Sequence, residues 1–518
     1  MFHRALTALL LLMALLSCGG SGNNFVPSGG GTTPTPNPPQ QLVALTKLST
    51  DTFTTAGAQH ASEVEPHAFS FGNTIVSTFQ VGRIFGGGGV AIGFATSTNG
   101  GVNWISGFLP GLTTSFQNGT FSAASDPVVA YDARHGQWIV STLPIGSPPR
   151  IAISRSRDGI SWDMPILVSQ TPNADKNWIV CDNTTTSPHY GNCYMEWDDP
   201  SVGGLIWMTT STDGGTTWSP ALNTTNGATG IGGEPVVQPN GNVVVPISNI
   251  QTQANPAAFQ RVFRSTDGGA TWSATSNISD ITNHAEAGNL RSGALLSAVA
   301  DNTGKIYAVW TDCRFHTGCT ANDIVLSTST DGLAWTAPVR IPLDATSSTV
   351  DHFLPALGID ASTGGTTAHL ALLYYFYPDT NCTTDTCSLN VGFTSSQDGG
   401  GSWTTATTLV SGMSLTSLPN TSSGVMVGDY FANVFSAGKV FPVFALANLK
   451  SGSTLDQAMY TTATALSTVQ TTRAFVTHSE QAIPNAKSDH GPSGYYDLDR
   501  EYPERPPKKV LRRMLKRR

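Results

Sequence analysis

Short runs of β-branched and aromatic residues alternate with clusters of Gly, Pro, Asn and Asp along most of the chain, and little of it carries helical periodicity. That pattern predicts an all-β fold. Residues 235–281 show the unit cleanly. Pro235 to Gln238 predicts one strand, Pro239-Asn240-Gly241 a turn, and Asn242 to Ile247 a second strand. A third runs from Arg261 to Arg264, and a fourth starts near Trp272. Four antiparallel strands per repeat make a propeller blade.

A short turn sequence sets the phase of these units. It reads Ser-Thr-Asp-Gly-Gly-Thr-Thr-Trp from Ser211 to Trp218 and returns at Ser265–Trp272 and Ser396–Trp403. Asn99 replaces the Asp in the copy from Ser97 to Trp104, and two copies, Ser156–Trp162 and Ser329–Trp335, are one residue shorter. Successive copies start 54 to 67 residues apart, a period expected of a repeat architecture. Ser and Asp side chains accept from nearby backbone N–H groups, and Gly supplies positive φ. The Trp is expected to bury between sheets.

First strands fall near Phe69, Val128, Trp178, Val236, Leu295 and Leu354. A seventh set without the turn follows: Val427 to Phe435, Lys439 to Ala447 and Gln457 to Thr462. Leu42 to Leu48 can supply its fourth strand and close the ring. The expectation is therefore a β-propeller of seven blades, with six as the alternative. Strand alternation then puts all six turns on one face. The starts of the first strands and the loops joining second to third strands lie around the opposite mouth.

Those starts are acidic. They carry Glu63 and Glu65, Asp126, Asp175, Glu234, Asp351 and Asp429, and only the fifth unit breaks the series, with Arg291 preceded by Glu286. Glu65, Asp126 and Glu234 each precede a proline, which is tolerated at the first residue of a strand. Converging carboxylates need a cation, a basic partner or protonation. Lys176, His352, His67 and Arg291 are at hand, and calcium is the expected ion for an oxygen-rich mouth. The plainer alternative is that each carboxylate caps backbone N–H groups.

The ends bound the setting. His3 and Arg4 precede an apolar run from Ala5 to Leu16, too short to span a bilayer. It ends in Leu15-Leu16-Ser17-Cys18, which is similar to a bacterial lipobox and implies a lipidated Cys18. The organisation expected is a leader over 1–17, a tether over 18–41, a propeller over 42–475 and a tail over 476–518. Six further cysteines form close pairs: Cys181 with Cys193, Cys313 with Cys319, Cys382 with Cys387. Disulfides in an oxidising compartment are expected. Seven basic residues crowd Lys508 to Arg518, and without them 20 basic residues face 35 acidic ones. Basic charge on the tail rather than on a folded face argues against nucleic acid.

The six turns resemble the Asp boxes of the sialidase-like, BNR-repeat propellers over about residues 60 to 465. The resemblance implies the fold. For activity, it implies an Arg in a Phe-Arg-Ile-Pro-like first strand, two further arginines, a Tyr nucleophile with a Glu partner, and an Asp acid/base. This chain instead reads Glu63-Val64-Glu65-Pro66-His67-Ala68-Phe69 there, and no Asp lies between Arg83 and the first turn. Arg291 and Arg314 could reach the mouth, and Tyr430 stands where the nucleophile would be. The reading is a surface-tethered monomer that binds a glycan, a surface polymer or a partner at an acidic mouth. The alternative is a glycoside hydrolase, exo-sialidase included. Its catalytic candidates are Tyr430, Glu234 and Asp126, and its binding candidates are Glu65, Asp175, Arg291, Arg314, Asp351 and Asp429.

Overall fold

The computed structural model describes residues 37–468, apart from 147–150, 169–173, 250–257 and 294, together with 476–477. The expected leader, Cys18, the tether up to residue 36 and the tail beyond 477 lie outside the described residues. The described chain is all-β, with four short 3-10 turns as its helical pieces.

The strands form antiparallel sheets in a propeller arrangement. Five sheets reach four strands or more. The largest has eight, from Ala58–Phe71 to Ile166–Leu167, and contains the strands expected of the first two units. A single pair, Gly89 opposite Ala124, joins its halves. Asp175–Cys181, Cys193–Asp199 and Leu205–Ser211 form a sheet of only three strands. There the place of a fourth is taken by isolated bridges, Met208 to Leu222 and Leu205 to Thr229. The expected count of seven, or six, is thus corrected to five full sheets, because one junction fuses two units and another lacks its outer strand.

Two sheets borrow from the start of the chain. Leu45–Lys47 pairs with Gln457–Thr462 and completes the last sheet. Gln40–Gln41 pairs with Thr407–Ser414. At the other end, Val476–Thr477 pairs with Ser402–Trp403, beyond the expected boundary at 475.

Many strands are apolar on both faces because each sheet is covered on both sides. Gly89–Ser97 and Ile306–Asp312 are buried at every residue, as expected of strands packed between two layers. The six repeated turns set how closely those layers approach. In one, Ser211 Oγ donates to Asp213 Oδ1 at 3.0 Å and accepts the Gly215 N–H at 2.9 Å. Asp213 Oδ1 then accepts the N–H groups of Thr216 and Thr217 at 3.1 and 2.9 Å. Asn99 makes the same bond to Asn103 N–H at 2.9 Å. Trp272 and Trp403 are buried, while Trp104, Trp162, Trp218 and Trp335 are half-buried.

One glycine of each turn presses on a neighbouring unit. Gly159 meets Val76, Gly215 meets Ile139, Gly269 meets Tyr194 and Thr210, Gly332 meets Val244, and Gly400 meets Leu326. Gly101, in the first turn, meets Phe441 of the last sheet. A Cβ on Gly159 would stand 2.7 Å from Val76, and one on Gly400 2.6 Å from Leu326. Only a residue without a side chain fits there.

The three expected disulfides form, with Cα–Cα separations of 4.0 Å for Cys181–Cys193, 5.0 Å for Cys313–Cys319 and 4.8 Å for Cys382–Cys387.

Gly100 and Gly101 offer a controlled test. Both have positive φ, 67° and 82°, but nothing lies within 4 Å of a Cβ on Gly100. Each change to Ala carries the left-handed cost, and Gly101→Ala adds overpacking of about 1–3 kcal/mol. Thermal melts should show the larger loss for Gly101→Ala; equal losses would refute the role given to these contacts.

Candidate functional site

Expected site residues come together through a repeated kink in the innermost strands. Glu65, Asp126, Lys176 and Leu354 are non-glycine residues with positive φ, 56°, 46°, 48° and 51°. Each sits where pairing with the second strand slips: between Val64 and His67, Ser125 and Val128, Asp175 and Trp178, and Phe353 and Ala356. These are β-bulges, which re-aim side chains and cost about 1–3 kcal/mol each in backbone strain. Glu65-Pro66 and Asp126-Pro127 therefore lie inside strands that begin at Ala58 and Ala123, not at their first residues. Proline fits because a bulge leaves a residue without a ladder partner.

The bulges deliver one buried ion cluster. Lys176 Nζ lies 2.5 Å from Asp429 Oδ2 and 3.5 Å from both Glu65 Oε1 and Asp126 Oδ1. Arg291 grips Asp429 with two bonds, Nε to Oδ1 at 2.9 Å and Nη2 to Oδ2 at 2.6 Å. Gly428, with φ 146°, lets this backbone approach Glu65: a Cβ there would stand 2.8 Å from Glu65 N.

Burial pushes the Asp429 carboxyl up, but Arg291 and Lys176 outweigh it and hold the group well below the usual range. Asp126 is likewise pushed up by burial and held down by Lys176 and a bond from Glu65. Burial raises Glu65 well above its ordinary value despite Lys176. The set thus places three carboxyl groups around two cations, Asp429 and Asp126 held low and Glu65 raised. Of the acids expected at the mouth, Glu65, Asp126 and Asp429 converge here, and Lys176 and Arg291 offset their charge.

A cavity adjoins the cluster. Its wall includes Lys176, Asn177, Trp178, Gly232, Glu234, Leu295, Leu296, Ser297, Leu354, Pro355, Asp429, Tyr430 and Phe431. Trp178 and Tyr430 are half-buried and meet edge to face, with centroids 5.2 Å apart. The Tyr430 hydroxyl donates to Pro127 O at 3.4 Å, and burial raises its phenol well above the ordinary value. Glu234 Oε2 accepts the Ala298 N–H at 2.8 Å, while burial lifts its carboxyl to about 8. His67 packs on the other side of Trp178. Its Nδ1 accepts from Val129 N–H at 3.2 Å, and burial lowers it to about 3.

The other expected residues lie elsewhere. Asp175 stands opposite Asp198, and it raises both Glu196 and Asp198, which burial already pushes well up. These two acids sit in the strand Cys193–Asp199, and their alternation in that strand was the signal for them. Asp351 accepts the Asn322 N–H at 2.7 Å and neighbours Glu286, which burial and Asp351 raise to about 7. Arg314 is held by Asp312, through Nε to Oδ1 at 2.9 Å and Nη2 to Oδ2 at 2.6 Å, so it does not join Arg291. Glu63 is bonded by the Ser49 hydroxyl, and burial raises it to about 8.

Calcium finds no support among the mouth carboxylates. Among the described residues, the ligand atoms that gather within 4.8 Å belong to Asp323, Asp344 and His352. A hard, oxygen-seeking ion does not favour an imidazole.

No family model matches the chain, and no curated protein matches it in sequence. Solved structures similar to it include a leech intramolecular trans-sialidase, at 13% identity and TM-score 0.41, covering 64% of this chain and 67% of that one. A sialidase from Streptococcus pneumoniae gives 13% identity and 0.42, covering 65% and 68%. An ulvan lyase of a polysaccharide lyase family gives 10% and 0.47, covering 80% and 95%.

Two outcomes follow. Lys176→Met leaves Asp429, Asp126 and Glu65 without their shared cation and should cost about 3–5 kcal/mol in chemical denaturation; a neutral change would remove the cluster from the account. Glu63, Glu234 and Glu286 bind protons more tightly folded than unfolded, where the ordinary value is 4.5. Stability should therefore fall as pH rises from about 4.5 to 8. Melting curves of Glu234→Gln should show a shallower decline; an unchanged slope would contradict the assignment.

Proposed function

We propose that this chain is an exported propeller that binds a glycan at the channel mouth. The observation that carries this reading is the pairing of half-exposed Trp178 and Tyr430 on the same cavity as Glu234 and Ser297. An aromatic face suits the apolar face of a sugar ring, and convergent polar groups suit its hydroxyls. Neutralisation of the carboxylates by Lys176 and Arg291 favours an uncharged saccharide over a strongly charged one. Three disulfides fit an oxidising compartment. The proposal includes anchoring through Cys18 and a monomeric state. It also treats the halves of the eight-stranded sheet as separate units, supported by their single joining pair and by the closing contact of Gly101 on Phe441.

Glycoside hydrolysis is the second reading, and one observation favours it. Glu234, raised to about 8, and Asp429, held low by Arg291 and Lys176, both line the cavity. Carboxyl groups with affinities driven apart are how acid and base roles divide. Glu234 would protonate the glycosidic oxygen, with Asp429 or Asp126 stabilising the opposite face. An exo-sialidase version would use Tyr430 as nucleophile. Its raised phenol and the engagement of Arg291 with Asp429 weigh against that version.

Calorimetric titration with neutral oligosaccharides, chosen from a glycan array, tests the binding reading. Trp178→Ala should weaken binding by about 5- to 150-fold, the loss of roughly 1–3 kcal/mol of stacking and burial. Unchanged affinity would end it. If the array also reveals turnover, Glu234→Gln should abolish it while leaving binding measurable.

A further inference from the structure

Away from the aromatic cavity, the fifth and sixth sets of strands bring ligand atoms of Asp323, Asp344 and His352 within 4.8 Å of one another, with His316 against Asp323. Asp323 opens the strand Asp323–Ser329, and His352 is the second residue of Asp351–Ile359. Asp344 lies in the loop between them. His316 sits on the loop pinned by Cys313–Cys319, with His316 N bonded to Cys313 O and Cys319 N bonded to His316 O, each at 3.0 Å.

Several of their polar atoms are buried without a formed hydrogen bond. His316 Nε2 and Asp323 Oδ2 stand 3.2 Å apart, yet neither atom has a hydrogen-bond partner. Asp344 Oδ2 is also buried without one. His352 Nε2 lies 3.9 Å from it. Tetrahedral bonds of about 2.0–2.1 Å put neighbouring ligand atoms about 3.3 Å apart, close to the spacings here. The outer groups are already oriented. Arg340 takes the far oxygens, with Nε 2.8 Å from Asp323 Oδ1 and Nη2 on Asp344 Oδ1. The Oδ2 atoms face the histidines, Asp323 Oδ2 toward His316 and Asp344 Oδ2 toward His352. His352 Nδ1 faces Asn322 O at 3.4 Å, so its N–H donates there and the Nε2 lone pair points to the site, as metal-bound histidines are held. Its ring is fixed between Tyr374 and Phe376.

We propose that Asp323, Asp344 and His352 bind one divalent transition ion of the zinc class, with His316 drawn in beside Asp323 as the fourth ligand, clamping the disulfide loop to the next sheet. Two imidazoles with two carboxylates suit zinc better than calcium or magnesium.

The test uses the folded, disulfide-intact protein, stripped with a chelator and titrated with zinc chloride and, separately, cobalt(II) chloride. One equivalent of zinc should bind and raise the melting temperature, and cobalt should give the visible absorption of a four-coordinate site. Asp344→Asn removes a charge at a partly exposed position, 21% accessible, and His316→Gln keeps the loop's size. Each should lower zinc affinity at least ~10-fold. The proposal falls if wild type binds neither ion stoichiometrically, or if both variants bind as wild type does.

Discussion

Close approach of neighbouring sheets through glycine is the constraint on which the rest depends. Each repeated turn holds a glycine pressed on a neighbouring unit, and Gly101 on Phe441 links the first turn to the last sheet. The Ser and Asp side chains hold the turn in the shape that makes this contact. Sheets fixed this way bring their innermost strands side by side. Only then can a bulge at Glu65, another at Asp126 and a third at Lys176 point into one small volume.

That convergence creates an electrostatic problem, and the molecule resolves it internally. Three carboxyl groups face two cations, with Asp429 held low and Glu65 raised. The strain of four left-handed residues is stored beside the cavity, where strained backbone often accompanies function. The result is a rigid, nearly neutral floor beneath an aromatic wall. Such a floor suits hydroxyl recognition, and it leaves Glu234 as a neutral acid at the edge of the cavity.

Local chemistry was legible in the sequence, and tertiary chemistry was not. The turn hydrogen bonds follow from Ser, Asp and Gly at fixed spacing. Strands such as Lys439–Ala447 and Gln457–Thr462 were readable to the residue, and so were the short-range disulfides. The acids at the head of the first strands were visible too. Their positive φ was not, because Glu-Pro and Asp-Pro ordinarily signal extended backbone. Lys176 could be named as relief but not as the centre of the cluster. Arg314 looked available, whereas Asp312 two residues earlier holds it. His67, His316 and His352 gave no sign of their separate surroundings. Trp178 served only to mark a strand, although its half-exposed ring is the best feature of the wall.

Placing a saccharide at the mouth is the central claim. A crystal structure of the protein soaked with a binding neutral oligosaccharide tests it most directly. The account predicts sugar density against the Trp178 ring, within reach of Glu234. Density on the face carrying the six turns, with the aromatic cavity left unchanged, would contradict it.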